Sequence, residues 1–170
     1  MGLSGNATEA NGIYTVQGAG NIAGTADSFR FVYQPLSADG NITTRINSMT
    51  TEGVNRCVGV MIRESLATNA KYTFMGIGQD LKFRWQSRNK SNGRAASSTS
   101  VLSTPPNAWV RLVRTGNTLS GYSSTDGVNW TKLDNANITM AANSYVGFVV
   151  ASGDTTTLNT SVFSNVSVTP

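Results

Sequence analysis

The residues that could do chemistry in this chain lie in two short stretches. In CVGVMIRES (57–65), an apolar run stops at Arg63 and Glu64. The segment 82–94 has five basic residues and no acidic one, whereas the rest of the chain has eight basic and nine acidic residues. A charged pair at the end of a buried strand is typical of a catalytic acid, of half of a ligand clamp, or of a structural ion pair. A local excess of cations is typical of a solvated surface or of one that faces an anion or a sugar.

The residue content does not favour catalysis. The chain has no histidine and a single cysteine, so Cys57 lacks the usual base that would make it a nucleophile. Glycoside hydrolysis needs two carboxyl groups roughly 5–10 Å apart, yet no expected strand carries two acids and Glu64 has no acidic neighbour within eleven positions. A lyase that uses Tyr72 and Arg63 is the catalytic alternative that stays open. We predict that the chain is not an enzyme.

The elements that would position these residues are short strands. Apolar and alternating runs end repeatedly in Gly, Asn, Asp and Pro turns, and no helical stripe of useful length occurs. The sequence predicts eleven strands, at 12–18, 29–36, 42–49, 57–64, 70–78, 81–88, 108–116, 118–127, 128–134, 145–153 and 160–168. Without a fixed-period repeat, this number of strands favours a sandwich or barrel over a propeller.

The predicted boundaries give one domain. The chain of 170 residues is long enough to bury a good core. Residues 12–170 are expected to form a single β-sandwich domain, residues 1–11 a flexible N-terminal segment, and 89–107 a long loop. The polar N-terminus is not a signal peptide, and no apolar stretch approaches the length of a membrane-spanning helix. We therefore predict no membrane association.

Alternation assigns the two charged strands to faces. Along 57–64 the aliphatic side chains share the core face, so Arg63 is expected on the outer face. Along 81–88, Trp85 is either a core residue or an exposed platform for a sugar ring. If Trp85 is core, the opposite face of this strand presents three cations and Gln86. Trp109 and Trp130 are both expected to be core residues.

These faces define a candidate sugar-binding surface of cationic, amide and aromatic groups. Its members are Arg63, Tyr72, Arg84, Trp85, Gln86, Arg88 and Lys90. Arg63 has two open interpretations: a structural plug paired with an acid, or a clamp that holds sugar hydroxyls or a carboxylate in two parallel hydrogen bonds. Burial of Trp85 would favour a structural role for the module, and exposure over a groove would favour sugar binding.

Cofactors and nucleic acid are not expected. Metal sites need His, Cys or clustered carboxylates, and the acids here are scattered, so we name no metal ligands. A structural calcium ion is compatible with this kind of fold, but its ligands are unknown. The basic segment interleaved with Phe83 and Trp85 has the composition of a nucleic-acid surface, yet no recognised nucleic-acid-binding motif accompanies it. We predict no nucleic-acid partner.

Several segments resemble a known class of bacterial domain. GVMIRES, FRWQSR, WVRLVRTGNT, GYSSTDGVNW and YVGFVVASGD are similar to concanavalin A-like, laminin-G-like jelly-roll modules of secreted bacterial polysaccharide-active proteins. A related family is a domain of unknown function of the regulation-of-enolase type. The resemblance covers about residues 12–168, and its motifs specify the fold more firmly than a ligand.

This resemblance implies an all-β jelly-roll β-sandwich of two curved antiparallel sheets. It also implies a non-catalytic carbohydrate-binding module that tethers a larger secreted enzyme or surface protein to polysaccharide, with catalytic or other domains of that parent chain as its partners. Such tethering raises the local substrate concentration. The basic 82–94 segment departs from the more neutral strand of the relatives, which favours an anionic glycan. The alternative is a structural or adhesion module without a ligand of its own.

Overall fold

The computed structural model describes residues 5–22, 24–50 and 54–170, and these ranges form thirteen strands. The strands are β1 (Ala7–Ala10), β2 (Ile13–Gly18), β3 (Arg30–Ser37), β4 (Gly40–Met49), β5 (Cys57–Arg63), β6 (Tyr72–Gly78), β7 (Lys82–Arg88), β8 (Ala96–Leu102), β9 (Ala108–Thr115), β10 (Thr118–Ser124), β11 (Thr131–Asn137), β12 (Asn143–Ala151) and β13 (Asn159–Thr169). The described ranges contain no helix that is long and apolar enough to cross a bilayer.

The strands form two antiparallel sheets. One has seven strands in the order β1-β2-β13-β4-β9-β10-β11, and the other has six in the order β3-β12-β5-β6-β7-β8. The predicted all-β jelly-roll sandwich is confirmed. The six-stranded sheet contains both charged strands, β5 and β7, with β6 between them.

The main core lies between the inner faces of the two sheets. The six-stranded sheet contributes Val58, Val60 and Ile62 from β5, as the alternation predicted, and the seven-stranded sheet contributes residues such as Val110 and Leu112. All five of these side chains are fully buried. Burying an aliphatic side chain of this size contributes about 1.5–3 kcal/mol to stability, so this core fixes which face of β5 points outward.

A second apolar cluster covers the outer face of the six-stranded sheet. The segment between β2 and β3 contributes Ile22 and Phe29, which pack on side chains such as Met61, Tyr72 and Phe74 from β5 and β6. The outer face of these central strands is therefore buried under a loop, and β5 and β6 are buried at every position. The sheet has a closed part beneath this loop and a more open part toward β7 and β8.

Two strands lie where the sequence predicted none. Within the segment expected to be flexible, residues 7–10 form β1, which pairs with β2 through an Asn11-Gly12 turn. Both turn residues have positive φ, 53° and 77°, which is the signature of a tight hairpin turn. Within the expected loop 89–107, Ala96–Leu102 form β8, which adds an edge strand beside β7. That strand supplies one wall of the open part of the outer face.

Candidate functional site

The sheet register brings three of the candidate residues into one row. Tyr72 of β6 pairs directly with Arg63 of β5 on one side and with Arg88 of β7 on the other. Directly paired residues point to the same face of a sheet. The three side chains therefore lie together on the outer face of the six-stranded sheet, where the alternation of β5 and β7 predicted the two arginines to be.

An aspartate from the covering segment binds both arginines. Asp27 Oδ2 accepts hydrogen bonds from Arg63 Nη1 at 2.6 Å and from Arg88 Nη1 at 2.8 Å, and Asp27 Oδ1 accepts one from Arg88 Nη2 at 2.6 Å. Backbone carbonyl oxygens accept most of the remaining guanidinium N–H groups. These acceptors are Ser65 and Ala67 for Arg63, and Gly24, Thr68 and Ala70 for Arg88. The arrangement fastens the segments before β3 and after β5 onto the sheet.

The cluster of Asp27, Arg63 and Arg88 is fully buried. The side chains of Asp27, Arg63 and Arg88 have no solvent-exposed surface. Tyr72 lies between the two guanidinium groups, whose Cζ atoms are 5.6 and 4.9 Å from its ring centroid. Burial lowers the pKa of Arg63, while the hydrogen bond and charge of Asp27 oppose that shift, and burial raises the pKa of Tyr72. Of the two predicted roles of Arg63, a structural residue paired with an acid or a clamp for a ligand, this geometry agrees with the first.

Trp85 is a core residue rather than a platform for sugar. It is 2% exposed and packs in the main core between the sheets. Gly121 of β10 lies against it, because a Cβ atom at that position would come within 2.5 Å of Trp85 Cε3. Gln86 points to the other face, where its Nε2 donates to the carbonyl oxygen of Ile22 at 3.1 Å and the residue is 8% exposed.

Most residues of the candidate sugar-binding surface are buried. Arg63, Tyr72, Trp85 and Arg88 are at most 2% exposed, so none of them can contact a polymer in this conformation. The predicted sugar-binding surface is corrected at these residues, because Trp85 lies in the main core and because alternation cannot show that Ile22, Asp27 and Phe29 cover the outer face. The sequence signal for this cover was the pair of apolar residues and the acid within GNIAGTADSF, which the strand pattern left as a loop.

Arg84 and Gln86 do line an open cleft beside the closed part. The cleft has a volume of about 220 Å³ and is bounded by β5, β7, β8 and the covering segment. Its lining residues are Asn21, Ile22, Asn55, Cys57, Arg84, Gln86 and Ser97. Lys90 lies outside it, exposed in the turn after β7, so the basic residues of 82–94 do not form one patch.

The cleft is rich in hydrogen-bonding groups. Arg84 Nη2 lies 3.6 Å from Asp80 Oδ1, and Arg84 Nε is buried with no hydrogen-bond partner among the described residues. Two asparagine amides, one glutamine amide and a serine hydroxyl complete the polar lining. Burial raises the pKa of Cys57 to about 11, so its thiol is protonated at neutral pH and is a poor nucleophile there. The cleft can bind a polar ligand through amides and one guanidinium.

The acidic residues of the described ranges have structural partners. Glu64 binds Lys71 Nζ at 3.0 Å and accepts a hydrogen bond from the Ala141 amide, so it fastens loops together. Asp126 accepts hydrogen bonds from the Asn129 side chain and from backbone amides of its turn, and Asp154 accepts backbone amides of its own turn. These hydrogen bonds lower the pKa of each carboxyl and bring that of Asp154 to about 2. Within the described ranges no group of three or more His, Cys, Asp and Glu residues is placed to hold a metal ion.

The other two tryptophans were expected in the core and lie elsewhere. Trp109 and Trp130 are half-buried on the outer side of the seven-stranded sheet, beside Arg45 and Arg111. The predicted Asp126-Gly127 turn is present and packs on Trp109, since a Cβ atom at Gly127 would lie within 3.0 Å of that ring. Arg45 and Arg111 were not among the candidate residues, although each lies on the polar side of an alternating strand.

Comparison with solved structures supports the fold. A functionally unknown protein from Saccharomyces cerevisiae superposes with a TM-score of 0.76 at 16% identity, over 96% of this chain and 91% of that one. A prokaryotic β-1,3-1,4-glucanase (lichenase) from a mouse hindgut metagenome gives 0.60 at 9% identity, over 94% and 80%. The GH43 protein BlXynB from Bacillus licheniformis gives 0.61 at 9% identity, over 93% of this chain and 36% of that one. At these identities the likeness shows a shared concanavalin A-like sandwich fold.

No protein-family model matches the chain, and no curated protein matches it. Membership of the regulation-of-enolase type family therefore stays a prediction.

Proposed function

We propose that this chain is a non-catalytic carbohydrate-binding module whose ligand site is the cleft beside Arg84. The observation that carries the proposal is the lining of that cleft, which includes three amide residues, an arginine and a serine. A guanidinium donates from two neighbouring nitrogens, and an amide both donates and accepts, so together they match the paired hydroxyl groups of a sugar. Arg84 Nε, which is buried and has no hydrogen-bond partner in the described ranges, is a donor that a ligand oxygen would satisfy.

The size of the cleft limits what it holds. A volume of about 220 Å³ corresponds to roughly seven water molecules at liquid density, which suits one sugar residue rather than a long oligosaccharide. A polysaccharide would enter with a chain end or a branch residue. Binding of this kind positions a partner domain near its substrate, which is the role we assign to the module within a larger secreted protein.

The absence of a catalytic role rests on how the acids are used. Asp80, a carboxylate beside the cleft, pairs with Arg84. Glu64, the residue that the sequence singled out, is tied to Lys71 at 3.0 Å. Hydrolysis would need a second carboxyl group across the bond to be cleaved. We therefore expect no release of reducing ends from any polysaccharide that the protein binds.

The experiment is affinity electrophoresis through gels that contain xylan, β-glucan, laminarin, alginate or polygalacturonate. We expect retardation by at least one polysaccharide and loss of that retardation in Arg84→Gln. Arg94→Gln is the matched control, since Arg94 is exposed outside the cleft and its loss changes net charge equally. If wild type migrates freely in every gel, or if Arg84→Gln binds as well as wild type, the proposal fails.

A second candidate function has its own observation. Burial of Trp85 and of the Asp27 cluster favours a structural or adhesion module without a ligand. In that case the cleft is a surface irregularity, and wild type passes through all of the gels unretarded. The same electrophoresis therefore separates the two candidates.

A further inference from the structure

The outer face of the seven-stranded sheet has a cluster of aromatic and basic side chains that the proposed function does not use. Its members, which we name the Trp–Arg face, are Arg45, Trp109, Arg111, Tyr122, Trp130 and Lys132. Lys132 is exposed and the others are half-buried. The face lies on the opposite sheet from the cleft beside Arg84.

The register of four strands brings these side chains together. Arg111 of β9 pairs directly with Tyr122 of β10, and Tyr122 pairs with Lys132 of β11. One row along, Arg45 of β4 pairs with Trp109 of β9. Directly paired side chains on one face are roughly 5 Å apart at Cβ, so cations and rings alternate over a continuous patch.

Both arginines are held in place from below. Arg111 Cζ lies 4.0 Å from the ring centroid of Trp130, and Arg45 Cζ lies 5.9 Å from that of Trp109. Arg111 Nε donates to Thr43 Oγ1 at 2.9 Å, and Arg45 Nε donates to the Pro106 carbonyl oxygen at 2.7 Å. Each guanidinium is thus oriented by its ring and its Nε, which leaves the two terminal nitrogens to make a paired contact with a ligand.

The face carries three cations, Arg45, Arg111 and Lys132, and none of them is ion-paired within the described ranges. Asp134 of β11 points away and accepts a hydrogen bond from Ser98 of β8. Asp126, in the adjoining turn, has its carboxylate occupied by Ser124, Val128 and Asn129. Three cations therefore face solvent over aromatic rings.

We propose that the Trp–Arg face is a second binding surface, and that its ligand is a carboxylated polysaccharide such as a polyuronate. A planar carboxylate matches the terminal nitrogens of an oriented guanidinium in two parallel hydrogen bonds. A polyuronate presents such groups along its length, so Arg45 and Arg111 engage neighbouring sugar residues while Lys132 adds a third positive charge. This proposal is independent of the cleft beside Arg84.

The geometry favours a polyuronate over the two other chain-like ligands. A neutral glycan would leave three cations without partners. Single-stranded nucleic acid binds by stacking bases on open aromatic faces, but Arg111 covers one face of Trp130 and the turn at Gly127 packs on Trp109. The two tryptophan rings therefore contact neighbouring groups of the protein on faces that a base would need for stacking.

The test is isothermal titration of the protein with oligogalacturonate at low and high salt. Wild type is compared with Arg45→Gln, Arg111→Gln, the double variant and the cleft variant Arg84→Gln. Arg94→Gln is the charge-matched control, thermal melting checks folding, and single-stranded DNA is titrated as the competing ligand. We expect each single variant to weaken binding roughly tenfold, as for loss of a hydrogen bond to a charged group. The control binds as wild type does, and high salt weakens every complex.

Three results would overturn the proposal. One is no binding of oligogalacturonate by folded wild type. Another is binding that the double variant keeps but Arg84→Gln loses, which would assign the acidic sugar to the cleft and leave the proposed function standing. The third is tighter binding of single-stranded DNA, with the same dependence on Arg45 and Arg111. Loss in the double variant with the cleft variant unaffected supports the proposal even if the cleft itself binds nothing.

Discussion

Replacing Asp27 by Asn tests the interpretation of the buried arginines most severely. The change keeps the shape of the side chain but removes the carboxylate that pairs with Arg63 and Arg88, both fully buried. Removing one partner of a buried ion pair costs about 3–5 kcal/mol, since the remaining charge is left uncompensated. Here two charges lose their partner, so we expect a loss of about 5 kcal/mol in the free energy of unfolding.

The assay is thermal and urea unfolding of wild type and variant. For a domain of this size, 1 kcal/mol shifts the melting temperature by about 2–4 °C, so Asp27→Asn should melt roughly 10–20 °C lower. Glu64→Gln is the matched control, because it removes a carboxylate whose pair with Lys71 is about a quarter exposed. Such a pair contributes about 1 kcal/mol or less. Equal melting temperatures for the two variants would refute the claim that Asp27 holds the covering segment on the sheet.

Three further predictions follow from particular contacts. Burial raises the pKa of Cys57 to about 11, so its thiol should resist alkylation at pH 8 in the native protein and react on unfolding; rapid labelling of the native protein would contradict this. Because the unfolded thiol ionises near pH 9, its contribution to stability should be lost as pH rises from about 9 to about 11. Gly121→Ala should lower stability by about 1–3 kcal/mol through overpacking against Trp85, measured by urea unfolding, and an unchanged midpoint would show that the core relaxes at that contact. The backbone amides of its turn lower the pKa of Asp154 to about 2, so this carboxylate should stabilise the fold above about pH 4 and lose that effect as pH falls to 2. In Asp154→Asn, stability should therefore fall less steeply with acid than in wild type, and an equally steep fall would contradict this.

The part of the fold that the sequence predicts is the part governed by local alternation. Val58, Val60 and Ile62 read as one face of a strand, and the structure places them in the core. The pattern also placed Arg63 correctly on the opposite face. The cover over that face forms by a contact between segments that are distant in sequence. The segment that contains Asp27 has no hydrophobic periodicity from which this contact could be predicted.

The missed elements have a different cause. The Asn11-Gly12 turn that defines β1 is a strong hairpin signal, yet the polar residues before it read as a flexible terminus. β8 consists mostly of serine, threonine and alanine, which have no apolar alternation to mark a strand. Its place at an edge of the sheet beside β7 is set by backbone pairing rather than by side-chain burial.

The candidate site shows the same division. Arg84 and Gln86 were predicted from their strand and do line a cleft, but Asn21 and Asn55 come from segments that only the folded chain brings near. Trp130 was predicted to be a core residue, and Arg111 was not among the candidates. Their contact at 4.0 Å depends on strands meeting on the outer side of the sheet.

The central claim is that the cleft beside Arg84 binds a sugar, and a titration followed by nuclear magnetic resonance tests it most directly. Isotope-labelled protein is titrated with oligosaccharides from the polysaccharide that retards it most in affinity gels. We expect the amide signals of Asn21, Asn55, Gln86 and Ser97 to shift in a saturable way. Saturable shifts confined to other residues, or no shifts at millimolar oligosaccharide, would contradict it.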